Sequence, residues 1–351
     1  MIDTNQRLAD LLPRLRQPEW IALDTEADSL HAYPEKLCLV QLSLPDGEVL
    51  IDPLAGLDLK PLFHLLRGHS LIVHGADYDL RLLRRTVGFV PSGVFDTMES
   101  ARLLGHGEVS LTALVHRHLG ILLEKGPQKA DWARRPLTLR MENYARNDTR
   151  YLKALADLLR AELKRKGRLE WARETCDRLV STCAQVRDPD PDLVWRVKGC
   201  GGLDRVALGI LRELWHWREG EAVAANHPPF FILPHERLVA IAMAASVLEP
   251  LEGLIPTRFS TRRRAGLLDA VNRGLALPPS RQPHPVRAPR RRTSETHRRR
   301  FETLRRKRDS RAKELGIDPA LIGSRLTLDC LAQDWDQHAP TLMSWQRVLL
   351  E

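Results

Sequence analysis

Residues 20–88 carry the pattern that most narrows the choice of fold. WIALDTE (20–26), LCLVQLSL (37–44) and EVLID (48–52) are successive apolar runs of strand length, and Asp46-Gly47 between the last two is a hairpin signal. LKPLFHLLRG (59–68) then has helical spacing and stops at Gly68. SLIVHG (70–75) is a short buried strand, and DYDLRLLRRTVG (77–88) is a helix ending on Gly88. Three strands in meander followed by alternating helix and strand predict a mixed α/β sheet. FDTMESARLLG (95–105), SLTALVHRHLG (110–120, with Ser110 as N-cap) and the amphipathic stretch 139–167 extend it with three more helices. Beyond these, strand patterning all but ends. Residues 203–226 and 235–246 are helical, HPPFFILP (227–234) is a loop broken by proline, 280–294 is a linker rich in Pro and Arg, and a last helical segment runs from 295 to 351.

At roughly 150 residues per domain, 351 residues predict two or three domains. The formal net charge of +9 is concentrated in one stretch. Residues 1–150 hold 18 Lys/Arg against 20 Asp/Glu, whereas residues 251–313 hold 19 against 5. A basic stretch beside a near-neutral domain points to a polyanion, with nucleic acid as the first candidate; the plain alternative is a solvated basic linker. The five cysteines, Cys38, Cys176, Cys183, Cys200 and Cys330, are odd in number and form no CxxC pair. That disfavours a disulfide scaffold or structural zinc and fits a reducing cytoplasm. No apolar run is long enough to span a bilayer, the N-terminus has no apolar signal core, and no obligate protein partner is implied.

Four short fragments carry chemistry. Asp24 and Glu26 alternate at the end of the first strand and so project to one side of it. His74 to Asp79 runs from a strand into a helix, with Asp79 in the first turn. Asp96 opens the next helix as an N-cap. Tyr144 and Asp148 lie four apart on one helix face. Singly, each reads equally well as a solvated strand end, a helix cap or an ordinary surface pair. With Asp96 left in its capping role, the others together supply three Asp, one Glu and one Tyr, a set of oxygen donors suited to two hard cations such as Mg²⁺ or Mn²⁺.

With these residues in place, the sequence resembles the ribonuclease D branch of the DEDD exonucleases, over about residues 5–165. The D-x-E motif is Asp24 and Glu26, the H-G-x-x-x-D element is His74 to Asp79, and the Y-x-x-x-D motif is Tyr144 and Asp148. Asn143, five before Asp148, is not histidine, so the resemblance implies the tyrosine subclass. It further implies a ribonuclease H-like fold and metal-dependent 3′-to-5′ trimming of RNA, precursor tRNA included. Asp24 would bridge two cations, Glu26 and Asp148 complete the nucleophile side, Asp79 support the leaving group, and Tyr144 aim the attacking water. Residues 203–284 resemble the helical HRDC domain, and 297–351 a divergent second copy of it. The domain plan is therefore an exonuclease domain at 1–170, a connector at 171–202, the HRDC-like domain at 203–284, a basic linker at 285–296 and the second copy at 297–351.

Lys129, Arg134 and Arg135 are candidates for the RNA backbone, with ordinary surface charge as the alternative. His31 and Tyr33 could stack a terminal base, although Tyr33 before Pro34 also reads as a turn anchor. Trp132 is expected in the core. Two rival functions remain open: a DNA 3′-to-5′ exonuclease, and a binding module without catalysis. No phosphate-loop string occurs; the Gly-rich stretch 198–202 is expected to be an interdomain turn.

Overall fold

The computed structural model describes residues 1–124, 126–185, 190–285 and 294–351. Five strands, β1 (Ile21–Ala27), β2 (Leu37–Leu44), β3 (Gly47–Ile51), β4 (Ser70–Val73) and β5 (Gly93–Asp96), form one sheet in the order β3-β2-β1-β4-β5. The first three are an antiparallel meander; β4 and β5 join in parallel. All eight residues of β2 are buried, which is why six of them are apolar and only Gln41 and Ser43 are not. The hairpin pairs Leu44 with Gly47, so its turn is Pro45-Asp46, one residue earlier than the sequence signal suggests.

Eight helices surround the sheet: α1 (Asn5–Leu11), α2 (Lys60–Leu66), α3 (Asp77–Val87), α4 (Thr97–Leu104), α5 (Leu111–Leu119), α6 (Leu139–Arg150), α7 (Leu152–Arg165) and α8 (Leu169–Ala184). One apolar cluster packs Leu23, Leu42 and Leu71 with Phe63 of α2 and Leu83 of α3. Another packs Ala22, Ile72 and Phe95 with Leu104, Leu114 and Leu155 of α4, α5 and α7. β1 sits where antiparallel pairing gives way to parallel.

Two expectations of secondary structure are corrected. β5 is only GVFD, too short and too polar at its ends to show as a strand, and the helix expected from residue 95 starts at Thr97. The single helix over 139–167 is two helices that break at Tyr151. No Gly or Pro marks that break, and the apolar stripe Met141, Ala145, Thr149, Leu152, Ala156, Leu159 runs straight through it.

The chain divides into two compact units: Met1–Ala27, Leu37–Val186 and Arg292–Glu351 form the first, and Asp28–Lys36 with Arg187–Arg291 the second. In the second unit α9 (Arg205–Ala225), α10 (Pro229–Ile232), α11 (His235–Ser246) and α12 (Thr261–Leu275) enclose Trp195, Leu208, Leu211, Ile241 and Leu267. The Gly-rich stretch lies inside this unit as a 3-10 turn, Cys200–Gly202, and is not the boundary between units. The β1–β2 loop also belongs here. The Tyr33 hydroxyl donates to Glu219 Oε2 at 2.5 Å and its amide to Asn226 Oδ1 at 3.3 Å, so Tyr33 is an anchor rather than a stacking platform.

The first unit is larger than residues 1–170. α8, expected in the connector, delivers Cys176 and Cys183 to the core beneath the sheet. The C-terminal helices α13 (Glu295–Leu315), α14 (Pro319–Ile322), α15 (Arg325–Gln333), α16 (Trp335–His338) and α17 (Ser344–Leu350) share a core with α4, α5, α7 and α8. Trp345 stacks on Trp171 with centroids 4.8 Å apart. Buried Arg168 donates to carbonyls in the last turns of two helices, Leu103 O of α4 and Leu315 O of α13, each at 2.7 Å. Gly105 meets Gly316 so closely that a Cβ there would lie 1.9 Å from the Gly316 carbonyl oxygen. The segment 297–351, expected as a separate domain, is thus part of the catalytic unit's packing. Most of the expected linker, 286–293, lies outside the described residues, and its end opens α13. Among the described residues no helix is long and apolar enough to cross a membrane.

Candidate active site

At the C-terminal end of β1, Asp24 and Glu26 pair across β2 with Gln41 and Leu39. α6 packs over this part of the sheet and brings Asp148 to them. Carboxylate oxygens of Asp24, Glu26 and Asp148 all lie within 4.8 Å of one another. Asp79 on α3 is the fourth acid; it accepts a hydrogen bond from the hydroxyl of buried Thr25, the residue between Asp24 and Glu26. The start of α3 is set by Asp96. Its carboxylate accepts from the amides of Gly75 at 2.9 Å and Ala76 at 3.0 Å, and also caps α4 through Met98 N at 2.8 Å. Asp96 therefore does what the sequence suggests and also orients the turn that presents Asp79. His74 Nδ1 sits 2.8 Å from Thr97 Oγ1, which bonds the Val73 carbonyl. His74 holds this turn rather than facing the acids.

Burial dominates the electrostatics. It pushes Asp24 well above the usual carboxylate range, helped by the charges of Asp79, Asp148 and Glu26. Glu26 rises to about 9, first from burial and then from Asp148 and Asp79. Asp148 rises to about 7 and Asp79 to about 6, each chiefly by burial, with the Tyr144 and Thr25 hydroxyls pulling the other way. No Lys or Arg features among the perturbing groups. Four crowded acids without a neighbouring cation, and a buried Asp148 Oδ2 with no hydrogen-bond partner, are what a hard divalent cation would complete.

Tyr144 stands beside Asp148. Its ring leans on Trp132, centroids 6.0 Å apart, and on the backbone of Gly126, where a Cβ would come within 1.5 Å of a ring carbon. Burial, then the Asp148 charge, raises its pKa further, while Gln128 bonds its hydroxyl. Thr25, Gly126 and Gln128 had no sequence signal: they reach the site through packing between distant segments. Next to Tyr144 a cleft of about 690 Å³ is lined by Gly126, Asn143, Asn147, Arg150 and Tyr151.

The three basic candidates divide. Lys129 and Arg134 are exposed. Arg135 is corrected, because all five of its N–H donors are committed. Two go to Asp52 at 2.6 Å each, two to the carbonyls of Trp132 and Arg134, and one to that of Cys38. Asp52 is buried, so removing its partner strands a charge. Arg135→Ala is expected to lower the unfolding free energy in urea by about 3 kcal/mol, with the KM for RNA unchanged where the protein is folded. Unchanged stability with a raised KM would return Arg135 to the RNA.

Comparison with known proteins identifies the family. A family model described as 3′-5′ exonuclease matches residues 1–164, and one described as HRDC domain matches residues 207–247. Ribonuclease D of Gluconacetobacter diazotrophicus is 31% identical over 360 residues, covering 99% of this chain and 90% of that protein. The crystal structure of Escherichia coli RNase D, described as an exoribonuclease involved in structured RNA processing, superposes with a TM-score of 0.75 at 26% identity, over 96% of this chain and 91% of that one. The catalytic core of RRP6 from Trypanosoma brucei superposes with a TM-score of 0.64 at 26% identity, over 78% of this chain and 77% of that one.

Proposed function

The chain belongs to the ribonuclease D family and is a 3′-5′ exoribonuclease, and from that premise we propose that Asp24, Glu26, Asp79, Asp148 and Tyr144 carry the hydrolysis of the 3′-terminal phosphodiester. The single observation that carries this reading is the convergence of Asp24, Glu26 and Asp148 within 4.8 Å at the end of β1. The family uses divalent metals; we assign two ions, Mg²⁺ or Mn²⁺, to Asp24, Glu26, Asp148 and Asp79, where they would neutralise the phosphate and acidify a bound water.

The chain's own residues do the rest. Tyr144 stays protonated at neutral pH, so its hydroxyl aims the attacking water rather than taking its proton. The water oxygen bonds to phosphorus as the P–O3′ bond breaks, the water's proton passing to solvent and the departing 3′ oxygen taking one from solvent. The shortened strand leaves with its 3′ oxygen, and a nucleoside 5′-monophosphate is released. The cleft beside Tyr144 is of a size that holds a small ligand, and the terminal nucleotide is the occupant we infer. Substrates would be 3′ ends of tRNA precursors and other stable RNAs. A cytoplasmic setting accords with five free cysteines.

The test is digestion of a uniformly labelled RNA, a precursor tRNA and the matched DNA, with products separated by chromatography. Nucleoside 5′-monophosphates from both RNAs, and much slower release from DNA, are expected. Preferential trimming of DNA would move the enzyme to repair or proofreading.

A further inference from the structure

The chain's excess of positive over negative charge lies in 251–313, 19 Lys/Arg against 5 Asp/Glu, yet the structure uses its two halves differently. Among the described residues of the helical unit from 251 to 285, four of six arginines are engaged. Arg262 and Arg263 hold Glu221 at 2.8 and 2.9 Å, Arg273 holds Glu213 at 3.3 Å, and Arg258 donates to the Phe231 carbonyl at 2.8 Å. The stretch matched by the HRDC model, 207–247, has 3 Lys/Arg against 4 Asp/Glu and is not basic at all.

α13, in the catalytic unit, is different. It carries 9 Lys/Arg against 4 Asp/Glu. Phe301, Leu304, Ala312 and Leu315 pack one side into the shared core, and most of the other side is exposed. Each acid on the helix is already taken: Glu295 by Arg299, Glu302 by Arg305, Asp309 by Arg308 and Glu314 by Arg311. Arg298, Arg300, Arg306, Lys307 and Lys313 have no ion-pair partner among the described residues. Arg298, Arg306 and Lys313 recur at eight and seven residues, which puts them along one exposed side of a helix about 31 Å long. The helix is fixed in place by Arg168, by the Gly105–Gly316 contact and by the Trp171–Trp345 stack nearby.

We propose that this exposed side of α13 binds the sugar-phosphate backbone of RNA upstream of the 3′ end. The proposal rests on RNA being the substrate. Long RNA contacts would then be made by the unit that holds the carboxylates, in addition to any made by the HRDC-like unit. An anionic membrane is the lesser fit. A helix that lies in a bilayer surface inserts an apolar face, and the apolar face of α13 is already in the core.

The test is the variant Arg298→Gln/Arg306→Gln/Lys313→Gln, assayed on a long structured RNA and on a pentanucleotide over a range of KCl. Gln keeps helix propensity. On the long RNA, KM is expected to rise about tenfold, and the slope of log KM against log salt to flatten by about two, as for three lost phosphate contacts. The kcat, and both constants on the pentanucleotide, should match wild type, and Arg298→Lys/Arg306→Lys should retain most of the affinity. Wild-type KM and salt slope on the long RNA would overturn the proposal. So would an equal loss on the pentanucleotide, which would place the effect at the active site. Pentanucleotide hydrolysis by wild type reports on the catalytic reading separately.

Discussion

Asp24→Asn is expected to cut RNA trimming by at least about three orders of magnitude and, without metal, to melt higher than wild type at pH 8. The two effects share a cause. Asp24 is packed against three other acids, and burial holds all four above their ordinary pKa values. A carboxyl whose pKa is raised by folding binds more protons in the native state, so its stabilisation is present at low pH and lost as pH rises. For Glu26 that loss runs from its ordinary 4.5 to about 9, and for Asp148 from 3.8 to about 7. Neutral pH therefore finds the metal-free site partly ionised and self-repelling. Asn removes one charge and lets its neighbours ionise at lower cost, as substitutions of strained functional groups commonly do. We expect the variant to gain a few degrees at pH 8 by scanning fluorimetry, shrinking toward pH 5. Mn²⁺ should stabilise wild type and leave the variant unmoved. A variant that melts below wild type at pH 8 would mean Asp24 has a structural partner instead.

Tyr144→Phe is expected to lower kcat by about 10²- to 10³-fold, with Mn²⁺ binding and KM close to wild type. Phe keeps the ring against Trp132 and Gly126 and loses only the hydroxyl that bonds Gln128 and eases the charge on Asp148. Because that hydroxyl stays protonated, its loss should scale down the pH–rate profile without deleting an acidic limb. Stopped assays from pH 6 to 9 would check both points. A Phe variant near wild-type kcat would remove Tyr144 from the reaction.

Much of this site can be read along the chain because it is built from local pattern. β1 and β2 appear as apolar runs, and alternation alone puts Asp24 and Glu26 on one side. Helical spacing alone puts Tyr144 beside Asp148. What the sequence hides depends on distant segments. Arg135 looks like a surface cation until the fold brings Asp52 and the Cys38 carbonyl to it. Thr25 faces Asp79, 54 residues away, through packing that no local period encodes. The C-terminal helices read as a domain of their own because their apolar stripes do not say what covers them. The shared apolar core, the stack of Trp345 on Trp171 and the Arg168 bonds assign them to the catalytic unit. The basic excess of 251–313 is visible as composition, but which arginines remain unpaired depends on where Glu213 and Glu221 lie.

The most direct test of the carboxylate centre is trimming of one 5′-labelled single-stranded RNA by wild type and Asp24→Asn as Mn²⁺ is titrated from a chelated start. The account predicts no trimming by wild type under chelation and a ladder that shortens from the 3′ end as Mn²⁺ is added. It predicts none from Asp24→Asn at any concentration, although that protein melts cooperatively. A ladder from Asp24→Asn, or wild-type trimming that ignores the chelator, would contradict it.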